Sequence, residues 1–197
     1  MAGQDDNFAL DVVARAFPLL EALPPQSLEE ETENARLARG AVGDIIEDGL
    51  RACDWSFASV TAVLVRQEGI SADPDLPYKF SRPDDMLRLI AVLDDSIQWQ
   101  EARGVILADV NAGFPVRYTA RLTDVSQAPA DFRIALAYGL AARLAPRILG
   151  SARRAAALMD EAERKMRMAK QADARSASQR QHDGDGHQDW VAEALRR

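Results

Sequence analysis

Histidine is almost missing from this chain of 197 residues. There are two, His182 and His187, both near the C-terminus. No triad or proton relay built on imidazole can therefore be drawn through the rest of the chain. Cysteine is reduced to Cys53. An internal disulfide and a cysteine-based zinc site are both excluded. A single thiol fits a reducing compartment, or an assembly built in one. Cys53 falls on the apolar side of a predicted helix, so packing is expected of it rather than reactivity. No run of roughly 18 apolar residues occurs, and no membrane span is expected. The opening Met1-Ala-Gly-Gln-Asp-Asp lacks the basic and apolar stretches of a secretory leader. There is no Walker loop, and no Gly-x-Gly-x-x-Gly opens a helix.

What is present is charge, unevenly placed. The formal net charge is −7. The first hundred residues are strongly acidic, with Glu29, Glu30, Glu31 and Glu33 together. The last hundred are mildly basic through Arg143, Arg147, Arg153, Arg154, Arg164, Lys165 and Arg167. Such polarity can steer partners or line two sides of an assembly, although solvated helix faces are the plainer reading. An acidic chain is poorly suited to wrapping duplex DNA. The arginine group around 143–154 has no interleaved aromatic platform for bases. The acid pairs Asp84-Asp85 and Asp94-Asp95 read as turn formers and strand caps rather than as a general acid and base. The segment His182-Asp-Gly-Asp-Gly-His187 has residues able to hold a transition metal. Its glycine content makes it a solvated linker first, because ordering it would consume much of the binding energy. No catalytic residue, metal site or cofactor is expected.

Apolar periodicity predicts a helix over 7–23 (Phe8, Val12, Val13, Ala16, Leu20, Leu23), divided or kinked at Pro18 and stopped by Pro24-Pro25. Ser27 and Glu30 form a capping-box pattern that predicts a second helix from Ser27 to Cys53. Its apolar side is Ala35, Ala38, Val42, Ile45, Ile46 and Leu50. Gly40, Gly43 and Gly49 either weaken that helix or admit a close neighbour. After Trp55 the period shortens. Strands are predicted at 56–66, 78–81, 87–93, 97–101, 105–108 and 117–121, with turns at 69–77, 94–95, 103–104 and 111–113. No helical pattern separates them, so the region is antiparallel rather than βαβ. From Pro129 helix returns, with Phe132, Ala135, Leu136, Gly139, Leu140 and Leu144 on one side, ending at Pro146 and Gly150. Ser151 then caps an amphipathic helix to about Ala174, whose stripe of Ala155, Leu158, Ala162, Met166 and Ala169 suits a core or a subunit interface. Residues 176–188 read as a flexible linker. Residues 189–197, with Trp190, form either a tail that orders on a partner or a frayed terminus.

The organisation expected is α+β: a long-helix bundle with an inserted small antiparallel β domain and an extended tail. Residues 1–55 hold the N-terminal helices, 56–128 the β domain, 129–175 the helices completing the bundle, and 176–197 the linker and tail. The Trp55–Phe57 corner, where helical period gives way to strand period, is expected to staple helix to sheet.

Three segments carry a family likeness. One is Leu50-Arg-Ala-Cys-Asp-Trp55-Ser-Phe57-Ala. The second is Tyr78-Lys-Phe-Ser-Arg-Pro83-Asp84-Asp-Met-Leu-Arg88. The third is Tyr118-Thr-Ala-Arg-Leu-Thr-Asp124, followed by Asp131-Phe132 and the Leu/Ala helix. In this order and spacing the chain resembles the tail tubular protein A family of short-tailed bacteriophages, the head-to-tail adaptors below the portal. The likeness covers about residues 7–175, with Asp54 standing where the family commonly has proline.

The resemblance implies a non-enzymatic virion connector. Such a protein assembles in the host cytoplasm as a homo-oligomeric ring of about twelve copies, a dodecamer, between portal protein and tail nozzle. The ring extends the channel through which genomic double-stranded DNA passes during ejection, without sequence-specific contact. It implies fold-forming roles for Trp55, Phe57, Tyr78, Pro83, Asp84, Arg88, Tyr118 and Phe132. It makes Trp190, Val191 and Leu195 candidate portal-docking residues. Arg88 and Arg121 are expected in ion pairs. Two other classes remain: a wall-degrading virion enzyme on an adaptor fold, marked by an acid pair in a cleft, and a helical DNA-binding or regulatory protein, marked by a basic recognition helix.

Overall fold

The computed structural model describes the backbone of residues 5–122 and 124–194, and the side chains of 7–122 and 124–177. Among these residues the chain is α+β, with four α-helices and two antiparallel sheets. It divides into two compact units. The helical unit comprises Met1–Gly49, Trp55–Phe57 and Leu122–Arg197, and the β unit comprises Leu50–Asp54 and Ala58–Arg121.

The helical unit contains α1 (Asp5–Leu19), α2 (Glu33–Arg51), α3 (Ala130–Ile148) and α4 (Ala152–Ala194). Along α1, Phe8, Val12, Val13, Ala16 and Phe17 recur on one side and are buried, as their spacing predicts. Pro18 lies in the last turn and does not divide the helix. The helix closes just beyond it. Glu21 takes a left-handed φ of 55°, and the Ala22 and Glu21 amides donate back to the carbonyls of Phe17 and Pro18. That is a Schellman closure with a glutamate where glycine is usual.

The capping-box residues behave differently from expectation. The Ser27 amide donates to the Glu30 carboxylate at 3.0 Å and Ser27 Oγ accepts from the Glu29 amide at 3.1 Å. These bonds close a turn, and no helix grows from it. The helix begins at Glu33, where Thr32 Oγ1 accepts from the Ala35 amide at 3.2 Å. Thr32 is thus the working cap, because a cap must sit one position before the first helical residue.

Helices α2 and α3 run antiparallel past one another. Asp44 pairs with Arg143 at 2.8 Å, Ile45 lies beside Gly139, and Gly49 lies against Leu136 and Phe132. A side chain at Gly49 would collide with Leu136 Cδ2, whereas one at Gly40 or Gly43 would meet open space. Of these three α2 glycines, Gly49 alone serves close approach. Helix α1 is tied to α3 by Asp11, which accepts from Arg15 at 2.8 Å and from Arg133 at 3.3 Å. Burial alone would raise the Asp11 carboxyl, but the hydrogen bond and charge of Arg15, with Arg133, outweigh it and hold the group below its usual range.

Pro146 lies inside α3 rather than ending it. Proline in the last turn removes one amide while its neighbour continues the ladder: the Leu149 amide donates to the Ala145 carbonyl at 2.8 Å. Gly150, at φ 62°, makes the break. Ser151 Oγ then accepts from the Arg154 amide at 3.2 Å and starts α4. Ala162 and Ala169 of the predicted stripe are buried, with Ala155, Leu158 and Met166 half-buried. The backbone stays helical through 176–188, expected as a linker, and on to Ala194. The segment contains no proline, and its two glycines, Gly184 and Gly186, each cost a helix only about 1 kcal/mol.

The β unit contains β1 (Ser59–Val63), β2 (Arg66–Ile70), β3 (Tyr78–Ser81), β4 (Met86–Val92), β5 (Trp99–Ala102), β6 (Val105–Ala108) and β7 (Pro115–Ala120). The sheets have orders β1-β7-β4 and β2-β3-β6-β5, with all neighbours antiparallel. One core joins them, including Leu64, Phe80, Ile106, Phe114, Val116 and Tyr118. Phe80 and Phe114 meet edge to face with centroids 4.7 Å apart. Arg103 and Gly104, at φ 42° and 82°, form the two-residue loop joining β5 to β6. Positive φ at both positions matches the twist of the flanking strands. The expected strand over 56–66 is shorter, and 66–70 forms a separate strand in the other sheet.

Candidate functional site

Trp55, Phe57 and Phe132 come together as one aromatic cluster in the helical unit. The Phe132 ring lies 4.9 Å from Trp55 and 5.1 Å from Phe57 by centroid, and Trp55 lies 5.3 Å from Phe57. Trp55 and Phe132 are fully buried. The indole N–H of Trp55 donates to the Gly49 carbonyl at 2.9 Å, supplying the partner that a buried indole requires. Ser56, between the two aromatics, donates its amide to Asp173 Oδ2 at 2.9 Å and its hydroxyl to Asp173 Oδ1 at 2.6 Å. The corner therefore grips α2, α3 and α4. This corrects the expectation that it staples helix to sheet: residues 55–57 belong to the helical unit, and the first strand begins at Ser59.

A cavity of about 240 Å³ opens beside this cluster. Trp55, Phe57 and Phe132 contribute its aromatic wall, and Asp131 and Asp173 its charge. Asp131 lies in the first turn of α3, where the amide end of the helix favours a carboxylate. Sequence reasoning missed Asp173 and Asp131 as members of this site. Nothing local marks Asp173, which reaches Ser56 across 117 positions.

The remaining motif residues lie in the β unit. The Arg66 guanidinium sits over the Tyr78 ring at 5.0 Å. The Pro83 carbonyl accepts from the Met86 amide at 3.0 Å, closing the expected turn over Asp84, which is exposed. Arg82 pins that turn by donating to the Met86 and Leu87 carbonyls at 2.7 and 2.9 Å and to Glu101 at 2.9 Å. Arg88 pairs with Asp54, an ion pair within the chain as expected. The Tyr118 hydroxyl donates to Asp85 at 3.0 Å. Burial pushes the phenol up to about 12, and the Asp85 carboxylate adds to the shift. Asp94 accepts from the hydroxyl and amide of Ser96 at 2.6 and 3.0 Å. Those bonds hold it below the usual carboxylate range, the hydroxyl contributing most.

Trp190 and Val191 fall on the helical backbone of α4, outside the described side chains, and Leu195 lies outside the described residues. The same holds for the side chains of His182 and His187. Cys53 is half-buried. Among the described residues no group of three or more His, Cys, Asp or Glu is arranged to hold a metal. No described helix is long and apolar enough to cross a membrane.

Compared with known proteins, the chain matches no family model, and no curated protein matches it significantly.

Proposed function

We propose that this chain is a non-enzymatic head-to-tail adaptor of a short-tailed bacteriophage, working as a long-helix bundle that carries an inserted β domain. One observation carries the reading: the chain order of the two units. The chain leaves the helical unit after Gly49, touches it again at Trp55–Phe57, builds the β unit, and returns at Leu122. The segments that resemble the adaptor family fall at these crossings and at the Pro83 turn. Their side chains close corners and turns by packing and hydrogen bonding, which is the work of a scaffold. The acids Asp131 and Asp173 do share a cavity, the mark of the enzyme alternative, but both oxygens of Asp173 are engaged in holding Ser56.

In this reading the subunits close a ring of about a dozen copies through heterologous faces. The ring joins portal to nozzle and lines a DNA channel within the virion. The C-terminal segment of the chain, with Trp190, Val191 and Leu195, docks on the portal. The net charge of −7 suits a wall along which DNA slides without sticking. Mass photometry of the chain with its cognate portal tests this. A complex adding about a dozen copies per portal ring is expected. Free protomers at every ratio and salt concentration would contradict it.

A further inference from the structure

The cavity beside the aromatic corner has a composition that selects its occupant. Its volume of about 240 Å³ is below the range of roughly 300–1,000 Å³ usual for small-molecule pockets. It suits one long side chain. Two carboxylates line it, and none of its lining residues is Lys, Arg or His. Asp131 is exposed. Asp173 receives one hydrogen bond on each oxygen from Ser56, and a carboxylate oxygen can accept a second. The half-buried Phe57 and Ala172 add apolar surface to the same lining.

We propose that this cavity receives an arginine side chain presented by a partner polypeptide. The aliphatic stem covers Phe57 and Ala172, and the guanidinium meets Asp131 and Asp173. An anion is repelled by both carboxylates. Lysine matches the charge, but its ammonium is more strongly hydrated and lacks the planar fork that pairs with carboxylate and stacks on an aromatic ring. The inference stands apart from the virion reading, since it uses only the helical unit and complementary charge.

The test is an NMR titration of the full ¹⁵N-labelled chain with three probes. These are acetyl-Gly-Gly-Arg-Gly-Gly-amide, its isosteric neutral citrulline twin, and butylguanidinium. The arginine peptide is expected to shift the Trp55 indole and Ser56 amide signals saturably, and the citrulline twin to bind about tenfold more weakly. Asp131→Asn, at an exposed position, is expected to keep the fold and weaken the arginine peptide about tenfold. Ala172→Leu fills the cavity with its charges intact and is expected to abolish binding. The proposal is overturned by equal binding of the citrulline twin, by an unaffected Asp131→Asn variant, or by no saturable shift with the arginine peptide. Binding of butylguanidinium without the peptide would also overturn it, because it would mark a small-molecule site.

Discussion

Asp173 on α4 holds Ser56 by both its main-chain amide and its hydroxyl, at 2.9 and 2.6 Å, across 117 positions of sequence. Ser56 sits between Trp55 and Phe57, so this carboxylate fixes where both rings meet Phe132. Asp173→Ala is expected to destabilise the chain by about 1–2 kcal/mol, the scale of charge-assisted bonds discounted for partial exposure. Urea unfolding measures it. In a double-mutant cycle with Ser56→Ala the two losses are expected to be strongly non-additive. Simple additivity would separate the hydroxyl from the carboxylate.

The glycines of α2 divide by what surrounds them. Gly40 and Gly43 face open space, so Gly40→Ala and Gly43→Ala are each expected to stabilise by about 0.5–1 kcal/mol through helix propensity. Gly49→Ala places a methyl against the fully buried Leu136 and 3.4 Å from the Phe132 ring. Overpacking costs about 1–3 kcal/mol, so the net effect there is expected to be destabilising. Thermal unfolding of the three variants reads the opposite signs directly.

Stability should fall at high pH through Tyr118. Its folded phenol is raised to about 12, against about 10 in an unfolded chain. Below pH 10 both states keep the proton and the contribution is complete. Between about 10 and 12 the unfolded state loses the proton first, which draws the equilibrium toward unfolding. Tyr118→Phe removes the titrating group and should flatten this limb while costing about 1 kcal/mol at neutral pH from the lost bond to Asp85. An unchanged alkaline limb in Tyr118→Phe would assign the effect to another group.

The adaptor reading separates folding from docking at the C-terminus. Deleting 189–197 removes Trp190, Val191 and Leu195 and leaves the corner at Trp55 intact. Unfolding of the truncated chain is expected to match that of the full chain, while portal affinity drops by about tenfold or more, as for loss of an aromatic anchor. Equal affinity of the two chains would place the portal contact elsewhere.

Much of the fold was legible because local chemistry determined it. β3 and β6 lie where alternation and turn residues put them, and the Arg103-Gly104 loop follows from backbone twist. The buried side of α3 follows from its period. What was not legible depended on distant partners. The Ser27 amide does donate to the Glu30 carboxylate, but Ser27 Oγ accepts from the Glu29 amide, and the pattern cannot tell a helix start from an isolated turn. Residues 56 and 57 read as the start of a strand because aromatics suit sheets equally well. The allegiance of 55–57 to the helical unit is decided by Gly49, Phe132 and Asp173. The cavity was invisible for the same reason: its two carboxylates are separated by α3 and much of α4.

In the proposed function this chain is a ring subunit between a portal and a tail. Cryo-electron microscopy of the chain mixed with its cognate portal tests it most directly. The account predicts a second ring of about a dozen copies coaxial with the portal, with the β unit repeated around the axis and an open central channel. Portal rings that remain bare, with the chain dispersed as protomers at all concentrations, would contradict it.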